Sequence, residues 1–337
     1  MNTVAQLSAR ERRELFTEAA AEMGLPPFHV EKDFWVCWVL SAFFGPAEVG
    51  QHLTFRGGTS LSKAWGIIER FSEDIDLAMA RPWLGTAKHP GEQGITASEK
   101  ERRLKALRDE CRQMIGDVLV PVLRKAVGGL SEPWRLEVEP LEKARDPFCL
   151  HFEYPRTGLL PPADYNRARV KVELSGRADG WPMESRTIIP YVAQAFPEVT
   201  GDPRLALSCV RPARTFWEKA ALVHEQNVRP GERSLAQGQA RHLSDLVRLW
   251  DAGVAKADGF SALFAGVKEH RQAYFDYNWV DYGALKAGDL QIAPPGSRMG
   301  DWRADYEAMR AMFFHDPPGF EALVERLRGI EAALRLL

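Results

Sequence analysis

Two aspartates separated by one residue, Asp74-Ile75-Asp76, follow a run Gly57-Gly58-Thr59-Ser60. These residue types in this order can handle phosphate. Within residues 72–79, Ile75, Leu77 and Met79 alternate with Asp74, Asp76 and Ala78, the period of a strand, so both carboxylates point to one face. Two carboxylates so placed can hold a pair of Mg²⁺ ions ~3.5–4 Å apart, the spacing that clamps the attacking and leaving oxygens of an in-line displacement. Magnesium favours hard oxygen ligands shared with substrate phosphates. A third acid, Glu173, lies on the polar side of another alternating segment, where Val170, Val172 and Leu174 interleave with Lys171, Glu173 and Ser175. Backbone N–H groups of Gly57, Gly58, Thr59 and Ser60, at the start of a helix, would meet a nucleoside triphosphate where the helix dipole favours negative charge, with the Thr59 and Ser60 hydroxyls as added donors. Cations must offset the remaining charge, and the metal ions are the largest available.

The elements that position these groups are legible around them. Leu53 to Arg56 reads as a short strand, and the double glycine after it permits a tight turn or a close backbone approach. Across residues 60–70, Leu61, Ala64, Trp65 and Ile68 fall at i, i+3, i+4 and i+7, predicting a one-faced helix. Its other face holds Ser62, Lys63 and Glu69, which leaves Lys63 toward phosphate or solvent. Arg70 is placed to offset site charge or to pair with Glu73. Upstream, residues 31–44 are apolar almost all round, predicting a buried helix entered through Glu31, Lys32 and Asp33. Further strands are expected at 135–139, 148–154 and 169–175, and loops rich in Pro and Gly at 82–96, 155–168 and 176–190 border a cleft. After about residue 200 helical patterns take over, at 212–227, 233–252, 257–273, 301–314 and 318–337. In the last, Phe320, Leu323, Leu327, Ile330, Leu334 and Leu337 form one stripe. The expected organisation is an α+β domain over 1–200 and a helical domain over 201–337 that contributes to the active-site cleft.

Bulk properties narrow the class. With 337 residues, 45% of them apolar and 27% charged, the chain can bury two cores without staples. Its four cysteines, Cys37, Cys111, Cys149 and Cys209, form no CxxC pair, which argues against a zinc cluster or a disulfide framework. Neither a leader nor an apolar run long enough to cross a bilayer is present, so a soluble cytoplasmic protein with no membrane partner is expected. A net charge of −2 means that any polyanion must be drawn by a local patch. The basic run Arg102, Arg103, Lys105, Arg108 and Arg112 is interleaved with Glu99, Glu101, Asp109 and Glu110, the mixture of a solvated helix. Trp35, Trp38 and Trp65 fall on apolar faces and read as core. There is no HExxH, GxSxG or GxxxxGK[ST] pattern, which removes zincin, serine-hydrolase and P-loop readings.

The run FRGGTSLSKAWGIIERFSEDIDL resembles the signature of the AbiEii/AbiGii-type nucleotidyltransferase toxins, a branch of the polymerase-β nucleotidyltransferase superfamily. VEKDFWVCWVL, RVKVELSGR, RTFWEKAALVHE, RHLSDLVRLW, LQIAPP and DYEAM resemble further blocks of that family in the same order, so nearly the whole chain is covered. The resemblance implies a polymerase-β-like domain with a mixed sheet followed by a helical domain, using Mg²⁺ and an NTP. It assigns Asp74 and Asp76 to the metal, Gly58, Thr59 and Ser60 to the phosphates, and Ser72 to the neighbourhood of the active centre. Lys219 matches the lysine taken to contact the triphosphate, Asp245 a second acid of the site, and Glu173 the third superfamily carboxylate, where glutamate replaces aspartate. Fifteen residues lie between Gly58 and Asp74, more than the general superfamily pattern, and a longer helix is expected to fill the gap. The implied reaction is attack by a hydroxyl on the α-phosphorus of an NTP with pyrophosphate leaving, Asp76 or Glu173 accepting the proton. The implied acceptor is RNA, with tRNA 3′ ends foremost, and the implied partner a cognate antitoxin. Transfer to a small hydroxylated molecule or a protein side chain, and NTP binding without turnover, are the competing readings.

Overall fold

The computed structural model describes the chain except residues 71, 73, 86–87, 142–145, 160–167, 232–234 and 314, and the side chain of residue 311. Glu73, parts of the expected loops 82–96 and 155–168, the start of the expected 233–252 helix and the last residue of the 301–314 helix therefore lie outside the described residues. The chain divides into two compact units: Met1–Ala64, Phe71–Ala87 and Lys105–Val210 form the first, and Trp65–Arg70, Lys88–Leu104 and Arg211–Leu337 the second.

The first unit is built on a seven-stranded sheet of β1 (Leu53–Arg56), β2 (Asp74–Met79), β3 (Arg135–Val138), β4 (Phe148–Glu153), β5 (Val170–Ser175), β6 (Met183–Ile188) and β7 (Leu205–Val210). Their order is β3-β4-β5-β2-β1-β7-β6. The sheet is mixed, because β2 runs parallel to β5 and β1 parallel to β7, while the other neighbours are antiparallel. The fold is thus α+β, as expected. Strands β4 and β5 alternate buried and half-buried residues, which sends Phe148, Leu150, Phe152, Val170, Val172 and Leu174 to a core face. Cys149, His151, Lys171, Glu173 and Ser175 are left on the other face.

That core is closed by the Pro27–Phe44 helix, whose apolar all-round sequence suits full burial. Trp35 stacks on Tyr154 with ring centroids 5.5 Å apart and meets Phe152 edge-on at 5.8 Å, the stacked and edge-on geometries that aromatic pairs prefer. Glu31, Lys32 and Asp33, expected as a charged entrance, are buried instead. Glu31 accepts hydrogen bonds from the Thr157 backbone and hydroxyl at 3.2 and 2.8 Å. Asp33 Oδ1 lies 2.7 Å from Lys63 Nζ, and its Oδ2 accepts from the Tyr191 backbone at 2.6 Å.

Two strands run where none was expected. β6 occupies the 176–190 segment read as a loop, and β7 continues the sheet to Val210, beyond the expected border at residue 200. The helix expected over 60–70 is also shorter, spanning Gly57–Lys63. Gly66 then takes φ +64°, a left-handed turn that ends helices, and Trp65–Arg70 belongs to the second unit. The long spacer between glycines and aspartates is therefore a short helix plus an excursion.

In the second unit, helices Pro212–Asn227, Arg241–Asp251, Phe260–Tyr274, Met299–Ala308 and Phe320–Leu334 follow the expected order. Trp217 is fully buried against Phe260 and Phe264, and the stripe from Phe320 to Leu334 is buried, whereas Leu337 is exposed. Along the Ala97–Met114 helix, which from Lys105 on belongs to the first unit, Arg102 and Arg103 both bond Glu99, and Arg112 bonds Asp109, which matches the reading of a solvated helix. Among the described residues no helix is long and apolar enough to cross a membrane.

Candidate functional site

The parallel register of β2 and β5 decides the geometry of the acids. It sets Asp76 opposite Glu173 and Asp74 opposite Lys171, and side chains opposite one another in a ladder share a face. Asp76 and Glu173 are close enough to hydrogen-bond. Burial, followed by the charge of Glu173, pushes the Asp76 carboxyl up to about 7, and Arg56, opposite it on β1, acts in the reverse sense. Two carboxyls brought together in this way cannot both ionise freely without a cation. Among the described residues no three His, Cys, Asp or Glu side chains converge as a ready-made metal cluster. The close pair is Asp76 with Glu173, while Asp74 stands one ladder position along the same face.

Asp74 has cations about it. Burial lowers the Lys32 ammonium to about 7, with the charge of Asp74 opposing that fall. Burial likewise works against the charge of Lys171, but Glu173 and then Asp74 hold its affinity for a proton above the ordinary lysine value. Lys171 is in direct ionic contact with Glu173, two residues along β5.

The glycine turn sits directly against these acids. Gly57 has φ +77°, and a Cβ built on it would stand 1.9 Å from Asp76 Oδ2. Only glycine satisfies both the backbone and the contact. Two residues on, Thr59 Oγ1 donates to the Asp74 carbonyl at 2.5 Å and lies 2.9 Å from Ser72 Oγ. Ser60 is buried beside Cys209. The hydroxyl of Thr59 thus fixes the start of β2, and that of Ser60 faces the interior, so the phosphate-donor role expected of the two hydroxyls is not the one their contacts describe.

Within the second unit a buried charge network forms around Asp245. Arg70 grips it with Nε at 2.8 Å and Nη2 at 2.7 Å, and Lys219 Nζ lies 2.8 Å away. Burial alone would raise Asp245, but Arg70 and Lys219 hold its carboxyl well below the ordinary range. His242 Nδ1 is 3.2 Å from Lys219 Nζ, and burial together with that ammonium keeps the ring neutral. A small cleft of about 60 Å³ opens beside this network, lined among others by Arg70, Asp245, Arg248, Phe313 and His315.

Comparison with known proteins decides the lineage. The sequence profile described as nucleotidyl transferase AbiEii toxin, type IV TA system, matches residues 38–326. The chain belongs to this family. The match runs through both units and includes Asp74, Asp76, Lys171, Glu173, Lys219 and Asp245, whereas Lys32 lies upstream of it. Membership in this nucleotidyltransferase family of type IV toxin–antitoxin systems implies an NTP substrate and an antitoxin partner. No curated protein matches it by sequence. Among solved structures it is similar to MenT4, a nucleotidyltransferase toxin from Mycobacterium tuberculosis H37Rv, at 20% identity and a TM-score of 0.54, over 96% of this chain and 90% of that one. That likeness shows a shared fold.

For this AbiEii chain the expected residues fall into groups. Asp74, Asp76, Glu173, Gly57, Gly58, Thr59 and Ser72 are brought to one end of β2 in the first unit. Lys219 and Asp245 are brought together in the second. Lys63 is placed elsewhere: its side chain is 4% exposed, its ammonium pairs with Asp33, and it rests 3.8 Å over the Tyr191 ring, facing neither phosphate nor solvent. Arg70 pairs with Asp245. Lys32 and Lys171 are site residues to which the sequence alone assigns no chemical role. The alternation across 170–175 places Lys171 beside Glu173, whereas Lys32 gives no such signal in an apolar helix.

Proposed function

We propose that this AbiEii-family chain transfers a nucleotide from an NTP to the 3′ hydroxyl of an RNA in the cytoplasm, tRNA foremost, in a reaction that depends on Mg²⁺, and that its antitoxin restrains this activity. The observation that supports the reading is the Asp76–Glu173 pair in register on adjacent parallel strands, with Gly57 against Asp76 and Asp74 on the same face. The donor set fits a hard divalent cation: its groups are carboxylate oxygens, and the mutual repulsion that lifts Asp76 is relieved by positive charge. Asp76 and Glu173 would hold the first ion and Asp74 would join in holding a second. Bound there, such ions supply charge neutralisation for the triphosphate and lower the proton affinity of the attacking hydroxyl.

The remaining work falls to the chain's own groups. Thr59 holds the Asp74 backbone, which fixes the direction in which β2 presents both aspartates. The absence of a side chain at Gly57 lets backbone N–H groups of Gly57 and Gly58 lie beside the acids, where the phosphates are proposed to rest. Asp76 or Glu173 takes the proton of the attacking hydroxyl. Lys219, neutralised in part by Asp245, is assigned to the triphosphate by family resemblance, and Asp245 keeps its ammonium in one place.

The test is incubation of the full chain with each labelled NTP, Mg²⁺ and total tRNA, followed by sequencing of RNA 3′ ends. Label on tRNA that disappears with Asp74→Ala and Asp76→Ala supports the proposal. Label on a small hydroxylated acceptor or a protein alone would redirect it, and nucleotide binding without pyrophosphate release would overturn it.

A further inference from the structure

Four side chains stand at the corners of one ladder cell on the open face of the sheet. Asp74 and Asp76 come from β2, Lys171 and Glu173 from β5, with Asp74 opposite Lys171 and Asp76 opposite Glu173. Three corners are acids and the fourth is an ammonium. Adjacent strands are ~4.8 Å apart and alternate residues along a strand ~6.6 Å, so every corner is within electrostatic reach of the others. Lys171 is already committed within this cell, in direct ionic contact with Glu173.

We propose that Lys171 is an internal rival of the divalent cation, neutralising Glu173 and Asp74 in the metal-free chain and giving them up when the ion binds. The inference rests on the proposed metal role of the acids. A cation held by Glu173 takes the oxygens that Lys171 now contacts, and two positive charges inside one ladder cell repel. Lys171 has the means to leave: its side chain is 30% exposed, at the end of a flexible four-carbon stem. An isolated pair two residues apart on a strand contributes little to stability. Its cross-strand position opposite Asp74 is what turns it into a competitor. The device keeps the acids compact without metal and sets how much free cation is needed to load them.

Binding of Mn²⁺ alone to the full chain, without nucleotide, tests this through the electron paramagnetic resonance signal of the free ion. Native chain, Lys171→Met, Lys171→Arg and Asp76→Asn are compared. A charge 4–6 Å from a carboxylate changes its proton affinity by about 1–3 log units, and the same field acts on a metal ion. Lys171→Met is therefore expected to bind Mn²⁺ about tenfold tighter than native, with Lys171→Arg close to native. Lys171→Gln and melting temperatures measured in chelator guard against a folding artefact. Unchanged or weaker binding by both neutral variants, with native binding intact and lost in Asp76→Asn, overturns the rivalry alone. Absence of Mn²⁺ binding in the native chain, or binding that ignores Asp76→Asn, overturns the metal site itself.

Discussion

Gly57 and Asp76 are in contact through a hydrogen: the place where any other residue would carry its Cβ is 1.9 Å from Asp76 Oδ2. Backbone and carboxylate are therefore fitted to each other, and a methyl group would displace the acid from its present place beside Glu173. The same position has φ +77°, which alone costs an L-residue about 1–2 kcal/mol. Gly57→Ala is expected to lower nucleotide incorporation by at least about 100-fold while lowering the melting temperature by only a few degrees. Parallel assays of incorporation and thermal denaturation check this, and retained activity would show that Asp76 does not need its present place.

Asp76 makes function and stability pull apart. Its folded carboxyl is raised to about 7, above the ordinary value, so ionisation favours the unfolded chain. The contribution of the protonated form is complete below about pH 4 and fades as pH rises through 7. In chelator, Asp76→Asn should therefore melt about 2–6 °C higher than native at pH 8, a gain of about 1–2 kcal/mol, and equal it at pH 4. Scanning calorimetry at the two pH values reads the difference. A variant less stable than native at pH 8 would contradict the repulsion between Asp76 and Glu173.

The Asp33–Lys63 pair separates a structural lysine from a substrate-binding one. Removing either partner leaves a buried charge, and Lys63→Met should cost about 3–5 kcal/mol. Asp33→Leu combined with Lys63→Met is expected to regain most of that loss in urea denaturation and to restore transfer with an ordinary KM for NTP. A double variant that is stable yet has a KM raised about tenfold would return Lys63 to the phosphates.

Asp245 behaves in the opposite sense to Asp76. Arg70 and Lys219 outweigh burial and hold it well below the usual carboxylate range, so its contribution is present above about pH 4 and is lost as acid protonates the unfolded chain first. Asp245→Ala strands two buried cations and should cost about 3–5 kcal/mol at pH 7, and only about 1 kcal/mol less at pH 3, because the folded carboxyl is still ionised there. Urea midpoints at both values test it. A fully stable Asp245→Ala chain would mean that the network around Arg70 is dispensable to the fold.

Elements with clear periodicity were readable from the sequence. Alternation located β2, β4 and β5, and with them the shared face of Asp74 and Asp76 and the side of Glu173. The Pro212–Asn227 helix matched its expected span. β6 was hidden because it is an edge strand: residues 183–187 expose one or both faces, so no apolar face is selected to alternate. β7, with Leu205, Leu207, Cys209 and Val210, is a short apolar run of the kind that fits strand or helix equally. The 60–70 pattern had helical spacing, but Gly66 overrode it. Glu31, Lys32 and Asp33 look like solvent-facing charges until Thr157, Lys63 and Tyr191 are brought beside them by the fold, and no local pattern carries that information. The same holds for Arg70 and Asp245.

The pairing of β2 with β5 also sets a timetable. Asp76 is translated early, whereas its neighbour Glu173 belongs to a strand that ends at Ser175, past the midpoint of the chain. A ribosome must therefore release β5 before the two acids can meet. Under the proposed catalytic role of that pair, the nascent chain of this toxin is inactive until more than half of it has been made.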